Sequence, residues 1–144
     1  MSAIRPFHLA FPVTDLDETR RFYGETLGCQ IGRESPGHWV DFSLYGHQLS
    51  AHLRPQSSVQ AASLGQVDGD AVPIPHFGVI VTMEQWKELA SRLEASPDTR
   101  WGMRPKLRFV GEPGEQATLF FFDPSGNALE FKAFADDIGI FQTA

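Results

Sequence analysis

Pro75-His76-Phe77-Gly78-Val79-Ile80-Val81 is the stretch on which the fold turns, because it restates the order of Phe7-His8-Leu9-Ala10-Phe11-Pro12-Val13. In both, a histidine opens a short apolar run of strand-like composition. A helix pattern follows each run. Asp15 to Leu27 places Leu16, Tyr23 and Leu27 on one face, with Thr14 or Asp15 as cap and acidic residues in the first turn. Gly28 supplies its stop. After the second run, Thr82 and Gln85 form a capping box, and Trp86, Leu89 and Leu93 give a buried stripe.

Strand signals come next in both halves. Trp39 to Leu44 and Gln48 to Leu53 alternate in period two around a tight reversal at Tyr45-Gly46-His47. Lys106 to Val110, Ala117 to Phe122 and Ala128 to Lys132 are strands of the second half, the last two joined by the turn Asp123-Pro124-Ser125-Gly126-Asn127. Arg54 to Pro75, rich in Ser, Gly, Gln and Pro, reads as a linker and mobile loop. The expectation is an α+β fold of two paired βαβββ modules forming a curved, partly open mixed sheet. Module one covers about 5–55, the linker about 56–73 and module two about 74–135, within one domain over 1–144.

The bulk numbers narrow the function. A chain of 144 residues, 42% hydrophobic and 21% charged, is an ordinary globular sequence. Its net charge of −6 argues against nucleic acid, which requires a basic face. No run approaches the ~20 apolar residues of a membrane span, and Met1 to Phe7 lacks the apolar core of a secretory signal. A single cysteine, Cys29, excludes an internal disulfide and fits a cytoplasmic protein; no cationic neighbour in sequence would activate it.

Three polar residues stand within apolar strands: His8, His76 and Glu130. A strand carboxylate is costly to desolvate unless it is paired or bound to metal. A lone strand histidine is ordinarily a hydrogen-bonded structural residue. Two at matched positions of a repeat, with a strand carboxylate after a turn, point instead to one divalent metal at the mouth of the modules. Two imidazoles and a carboxylate suit Fe(II), and also Mn, Ni or Zn. Counting from the turn glycines, Gly46 to Ser50 matches Gly126 to Glu130, so Ser50 is the counterpart of Glu130. His52, farther along the same strand face, is open as a fourth ligand, a catalytic acid/base or a solvated strand-end residue. His47 in the turn and His38 in a loop read as structural or exposed. Phe42, Phe77, Phe120 and Phe122 read as core residues before pocket walls, and Arg54, Lys106 and Arg108 as surface charge before anion ligands. No phosphate loop, dinucleotide fingerprint or nucleophile elbow is present.

These residues carry a resemblance to the vicinal oxygen chelate superfamily, which includes glyoxalase I, bleomycin- and fosfomycin-resistance proteins and extradiol ring-cleaving dioxygenases. The matching segments are Phe7 to Val13 with Asp15-Leu16, Arg21-Phe22-Tyr23 and Leu27-Gly28, then His76-Phe77-Gly78-Val79 and Phe122 to Phe131. The resemblance implies a metal site of His8, His76 and Glu130 like the iron site of the extradiol enzymes, with His52 moving protons. It implies an Fe(II)-dependent dioxygenase acting on a small catechol-like or other vicinal-oxygen substrate. The alternatives are a glyoxalase-like lyase or isomerase using a non-redox metal, and a non-catalytic bleomycin-resistance-type binding protein. Ser50 stands where glyoxalase I has an acidic ligand. The extradiol enzymes are often about twice this length and use a tyrosine near the metal that neither Tyr23 nor Tyr45 clearly supplies. Members often form homodimers, and exposed apolar sheet faces would favour one here.

Overall fold

The computed structural model describes residues 4–59 and 63–143. Residues 1–3 of the N-terminal segment, 60–62 of the expected linker and 144 lie outside the described residues. The chain divides into two compact units, Met1–Gln60 and Ala61–Ala144, with the boundary inside the expected linker.

The first unit is a four-stranded open sheet with a helix. Strand β1 (His8–Val13) leads into α1 (Leu16–Arg20), then come β2 (Gln30–Ser35), β3 (Trp39–Leu44) and β4 (His47–Leu53). The order is β1-β4-β3-β2, with β1 parallel to β4 and the rest antiparallel, so the sheet is mixed. Asp15 caps α1 by accepting from the Glu18 backbone N–H. The single helix expected to Leu27 instead widens into a π-helical turn over Arg21–Thr26, closed by the Leu27 N–H on the Phe22 carbonyl. That turn sets Tyr23, fully buried, against Phe11 and Phe42. Val13, Val40, Leu44, Leu49 and Ala51 complete the apolar face. By alternation, His8, Asp41, Gln48, Ser50 and His52 share the opposite face.

The second unit opens on an addition, placed where the sequence suggests only a linker and mobile loop. Strands β5 (Ser63–Val67) and β6 (Asp70–Ile74) form an antiparallel hairpin. Asp68 and Gly69 turn it, both at positive φ (45° and 81°), the conformation that matches strand twist in a two-residue loop.

Beyond the hairpin, the unit repeats the topology of the first. Helix α2 (Met83–Ala95) carries the expected capping box, Thr82 with Gln85. The chain continues through β7 (Arg100–Arg108), β8 (Gln116–Phe122) and β9 (Ala128–Phe134), an open antiparallel sheet. Trp86 donates its indole N–H to the Phe131 carbonyl, and Leu119, Phe121, Leu129 and Phe131 are buried. Residues 75–81, expected as a strand, are not a regular one. They meet β9 only through parallel bridges at Phe77–Leu129 and Ile80–Lys132. Gly78 is the physical reason: a Cβ there would sit 1.5 Å from the Glu130 carbonyl oxygen, so the backbones approach more closely than an ordinary ladder permits. The order is still that of the first unit, an entry segment parallel to the last strand. Among the described residues no helix is long and apolar enough to cross a membrane.

Candidate metal centre

Two of the three expected metal ligands meet in the second unit. His76 Nε2 lies 3.0 Å from Glu130 Oε1, although the two residues come from opposite ends of the unit's chain. The parallel pairing of the entry segment with β9 brings them together, through the Glu130 N–H on the Phe77 carbonyl. His76 Nδ1 donates to the Pro73 carbonyl at 2.6 Å, and the ring stands edge-on to Phe120 at 4.8 Å. Glu130, 7% exposed, accepts a 2.5 Å bond on Oε2 from the buried Thr118 hydroxyl. The Glu130 hydrogen bond raises the His76 pKa from its ordinary value. Burial pushes the Glu130 carboxyl up, but the bonds from His76 and Thr118 prevail and hold it low. Both shifts favour the charged form of each partner, imidazolium on His76 and carboxylate on Glu130.

His8 belongs to the first unit. Its Nδ1 lies 2.8 Å from Gln48 Oε1, which accepts the ring proton. Gln48 donates to Asp41 Oδ2 at 3.5 Å, and Ser50 donates to Asp41 Oδ1 at 2.7 Å. Asp41 and Ser50 are both buried. Among the described residues no group of three or more His, Cys, Asp and Glu side chains gathers where it could hold a metal ion. His52 is half-buried near the end of β4, its ring 6.5 Å from that of Trp39. His47 accepts the Phe7 N–H on Nδ1, a structural bond, and His38 is exposed in a turn. Cys29 is buried.

The chemistry of the His76–Glu130 pair, one imidazole and one carboxylate, fits a metal. Both histidines anchor Nδ1–H on an oxygen acceptor, the kind of outer-shell bond that orients a metal-binding ring and leaves Nε2 for the ion. The 3.0 Å between His76 Nε2 and Glu130 Oε1 is also the edge expected between neighbouring ligands of a six-coordinate ion with bonds of about 2.1 Å.

Arg108 departs most from its sequence-based expectation. Expected as surface charge, it is 3% exposed, on β7 beside the site. Its Nη1 lies 3.7 Å from Glu130 Oε2 and its Nε 3.5 Å from Asp70 Oδ2. The guanidinium carbon stands 5.7 Å from the centre of the Phe120 ring, and Nη2 is 3.4 Å from Met103 Sδ. Asp70 escapes a sequence reading because it sits on the hairpin that resembles a linker; the dipeptide Asp68-Gly69 is the signal that marks it. Of the phenylalanines, Phe42 and Phe120 are core, whereas Phe77 and Phe122 are half-buried.

Comparison with known proteins agrees with this architecture. The family model of the Glyoxalase/Bleomycin resistance protein/Dioxygenase superfamily matches residues 5–131. A glyoxalase/bleomycin resistance protein/dioxygenase structure from Alicyclobacillus acidocaldarius is 31% identical, with TM-score 0.77, covering 94% of this chain and 96% of that one. A lactoylglutathione lyase from Agrobacterium tumefaciens (24% identity, TM-score 0.62, 92% and 94% covered) has the same fold. So does the fosfomycin resistance protein FosX of Listeria monocytogenes (17% identity, TM-score 0.68, 97% and 99% covered). No curated protein matches the chain. Fold and site thus define a protein of the vicinal-oxygen-chelate class. The chain belongs to the Glyoxalase/Bleomycin resistance protein/Dioxygenase superfamily.

Proposed function

We propose that this protein is a metal-dependent enzyme in which His76 and Glu130, with His8 as third donor, hold one divalent ion, and that the ion is Fe(II). The substrate is a small catechol-like molecule with two adjacent oxygens, and the reaction is an extradiol-type dioxygenation. The observation that carries the reading is the 3.0 Å His76–Glu130 pair, with His76 fixed from behind by Pro73. When bound, the ion supplies Lewis acidity for the two substrate oxygens and, as Fe(II), a redox centre for oxygen.

The chain's own residues do the rest. Thr118 fixes the second carboxylate oxygen, so Glu130 presents Oε1 in one orientation. Phe120 and Pro73 restrain the His76 ring, and Gln48 restrains that of His8. His76 and Glu130 would hold the ion through Nε2 and Oε1, and because a ligating imidazole must be neutral, uptake would be coupled to proton release from His76. His52, on the same sheet face as His8, exchanges the substrate proton.

One observation favours a second reading, a redox-neutral lyase or isomerase. Ser50 stands where a glyoxalase would carry a carboxylate, yet it is bonded to one, Asp41, which borders a cavity of about 260 Å³. Asp41 would then be the proton-transfer group.

Metal analysis of tag-free protein, followed by oxygen uptake over a catechol panel, tests the proposal. About one iron per chain with substrate-dependent oxygen consumption supports the first reading. Turnover with Ni or Zn under anaerobic conditions selects the second. No stoichiometric metal after reconstitution overturns both and leaves a binding protein.

A further inference from the structure

Arg108 is the least satisfied charged group among the described residues of the second unit. Its Nε is buried without a hydrogen-bond partner, standing 3.5 Å from Asp70 Oδ2 but outside bonding geometry. Its nearest approach to Glu130 is 3.7 Å, also too long for a hydrogen bond. Nη2 reaches Met103 Sδ and the guanidinium faces the Phe120 ring, so its charge has two acidic neighbours and soft contacts while Nε stays without a hydrogen bond. Its planar fork matches an oxyanion such as a carboxylate, which would supply the missing bonds.

The charge balance points the same way. Asp70 and Glu130 cancel Lys106 and Arg108, and Lys132 also acts on the His76–Glu130 pair, so a bound divalent ion would leave the site at least two charges positive. A catechol that has lost one proton offsets one of these charges, and a second anionic group on the substrate offsets another. The side chains of Asp70 and Lys106 are 25% and 39% exposed, against 3% for Arg108, so the guanidinium is reached from their side. There, Asp70 Oδ2 already accepts from Lys106 Nζ at 2.8 Å.

We propose that Arg108, with Lys106, forms an anion-binding subsite beside the His76–Glu130 pair, and that the substrate carries a carboxylate in addition to its two vicinal oxygens. Asp70 occupies the approach to that subsite in the free protein and swings aside when the substrate carboxylate arrives. The inference rests on the metal-site reading for its chelating half, and the test separates the two.

Calorimetric titration of Zn-loaded protein with 3,4-dihydroxybenzoate and with catechol is the experiment, with metal content measured on the same samples. Wild type is expected to bind the carboxylated probe at least about tenfold more tightly, the worth of one charge-assisted bond pair. Arg108→Gln is expected to lower affinity for the carboxylated probe at least about tenfold more than affinity for catechol, which removes the margin, whereas Arg108→Lys retains part of it. Asp70→Asn widens the margin, an outcome that misfolding does not imitate. Equal affinity for the two probes in wild type, or a margin that survives Arg108→Gln, overturns the subsite while leaving the metal site standing. Failure of wild type to take up metal overturns the metal reading instead, and titration of metal-free protein with benzoate then tests Arg108 alone.

Discussion

The two units build the same frame and fill it in opposite ways. In each, an entry segment runs parallel to the last strand, and that strand pairs with an antiparallel neighbour. Each frame also buries one carboxylate bonded to one hydroxyl on its polar face. In the first unit the middle strand supplies the acid, Asp41, and the last strand supplies the hydroxyl, Ser50. In the second the last strand supplies the acid, Glu130, and the middle strand supplies the hydroxyl, Thr118. Only the second arrangement puts the carboxylate beside the entry segment's histidine. In the first, Gln48 holds His8 and Asp41 lies one strand farther off. Exchanging acid and hydroxyl between neighbouring strands thus separates a carboxylate paired with the entry histidine from one held in a hydrogen-bond network of its own sheet.

The largest effect should come from deleting each acid. Glu130→Ala is expected to weaken metal binding by more than about a hundredfold, since losses of outer-shell partners alone cost about 10- to 100-fold. Asp41→Ala should leave at least a tenth of wild-type affinity. Metal competition titration measures both, and equal losses would erase the distinction between the units.

Next is the backbone approach that seats Glu130. Gly78→Ala forces a Cβ against the Glu130 carbonyl and should destabilise by about 3 kcal/mol while loosening metal. Ala10, the corresponding residue of the first unit, already carries a Cβ; Ala10→Gly should cost only about 1 kcal/mol. Denaturant melts of the two variants make the comparison.

A smaller effect follows from protonation of the metal-free protein. His76 is raised above 6.5, so its contribution is complete below that value and is lost as pH rises through the folded value. Glu130 is lowered below 4.5, so its contribution is complete above that value and is lost as pH falls through the folded one. The pair stabilises most between pH 4.5 and 6.5. Denaturant melts of wild type, Thr118→Val and His76→Asn across pH should show this window shrink with the first change and vanish with the second. The smallest difference is expected at the helix caps. Thr82→Ala and Asp15→Ala should each cost about 1 kcal/mol, with neither touching metal affinity.

Much of this is legible in the chain. Periodicity and capping residues mark α2 and the buried face of α1, and the spacing from the turn glycines aligns Ser50 with Glu130. The π-helical turn at Arg21–Thr26 is not legible, because its wider winding follows from how Tyr23 seats between Phe11 and Phe42. The hairpin Ser63–Ile74 is obscured by its Ser, Gly and Pro content, although Asp68-Gly69 marks its turn.

By itself the sequence determined the repeat of a histidine-led entry segment, a helix and closing strands, and the residue types proposed to hold a metal, because local periodicity and donor chemistry are written in neighbouring residues. Only the tertiary structure decided that His76 and Glu130 meet, that Asp41 answers Ser50 and that Arg108 is buried between Asp70 and Glu130. Each of these joins residues far apart in the chain. Strand register brings them together, and no local signal encodes what a side chain will find on the neighbouring strand.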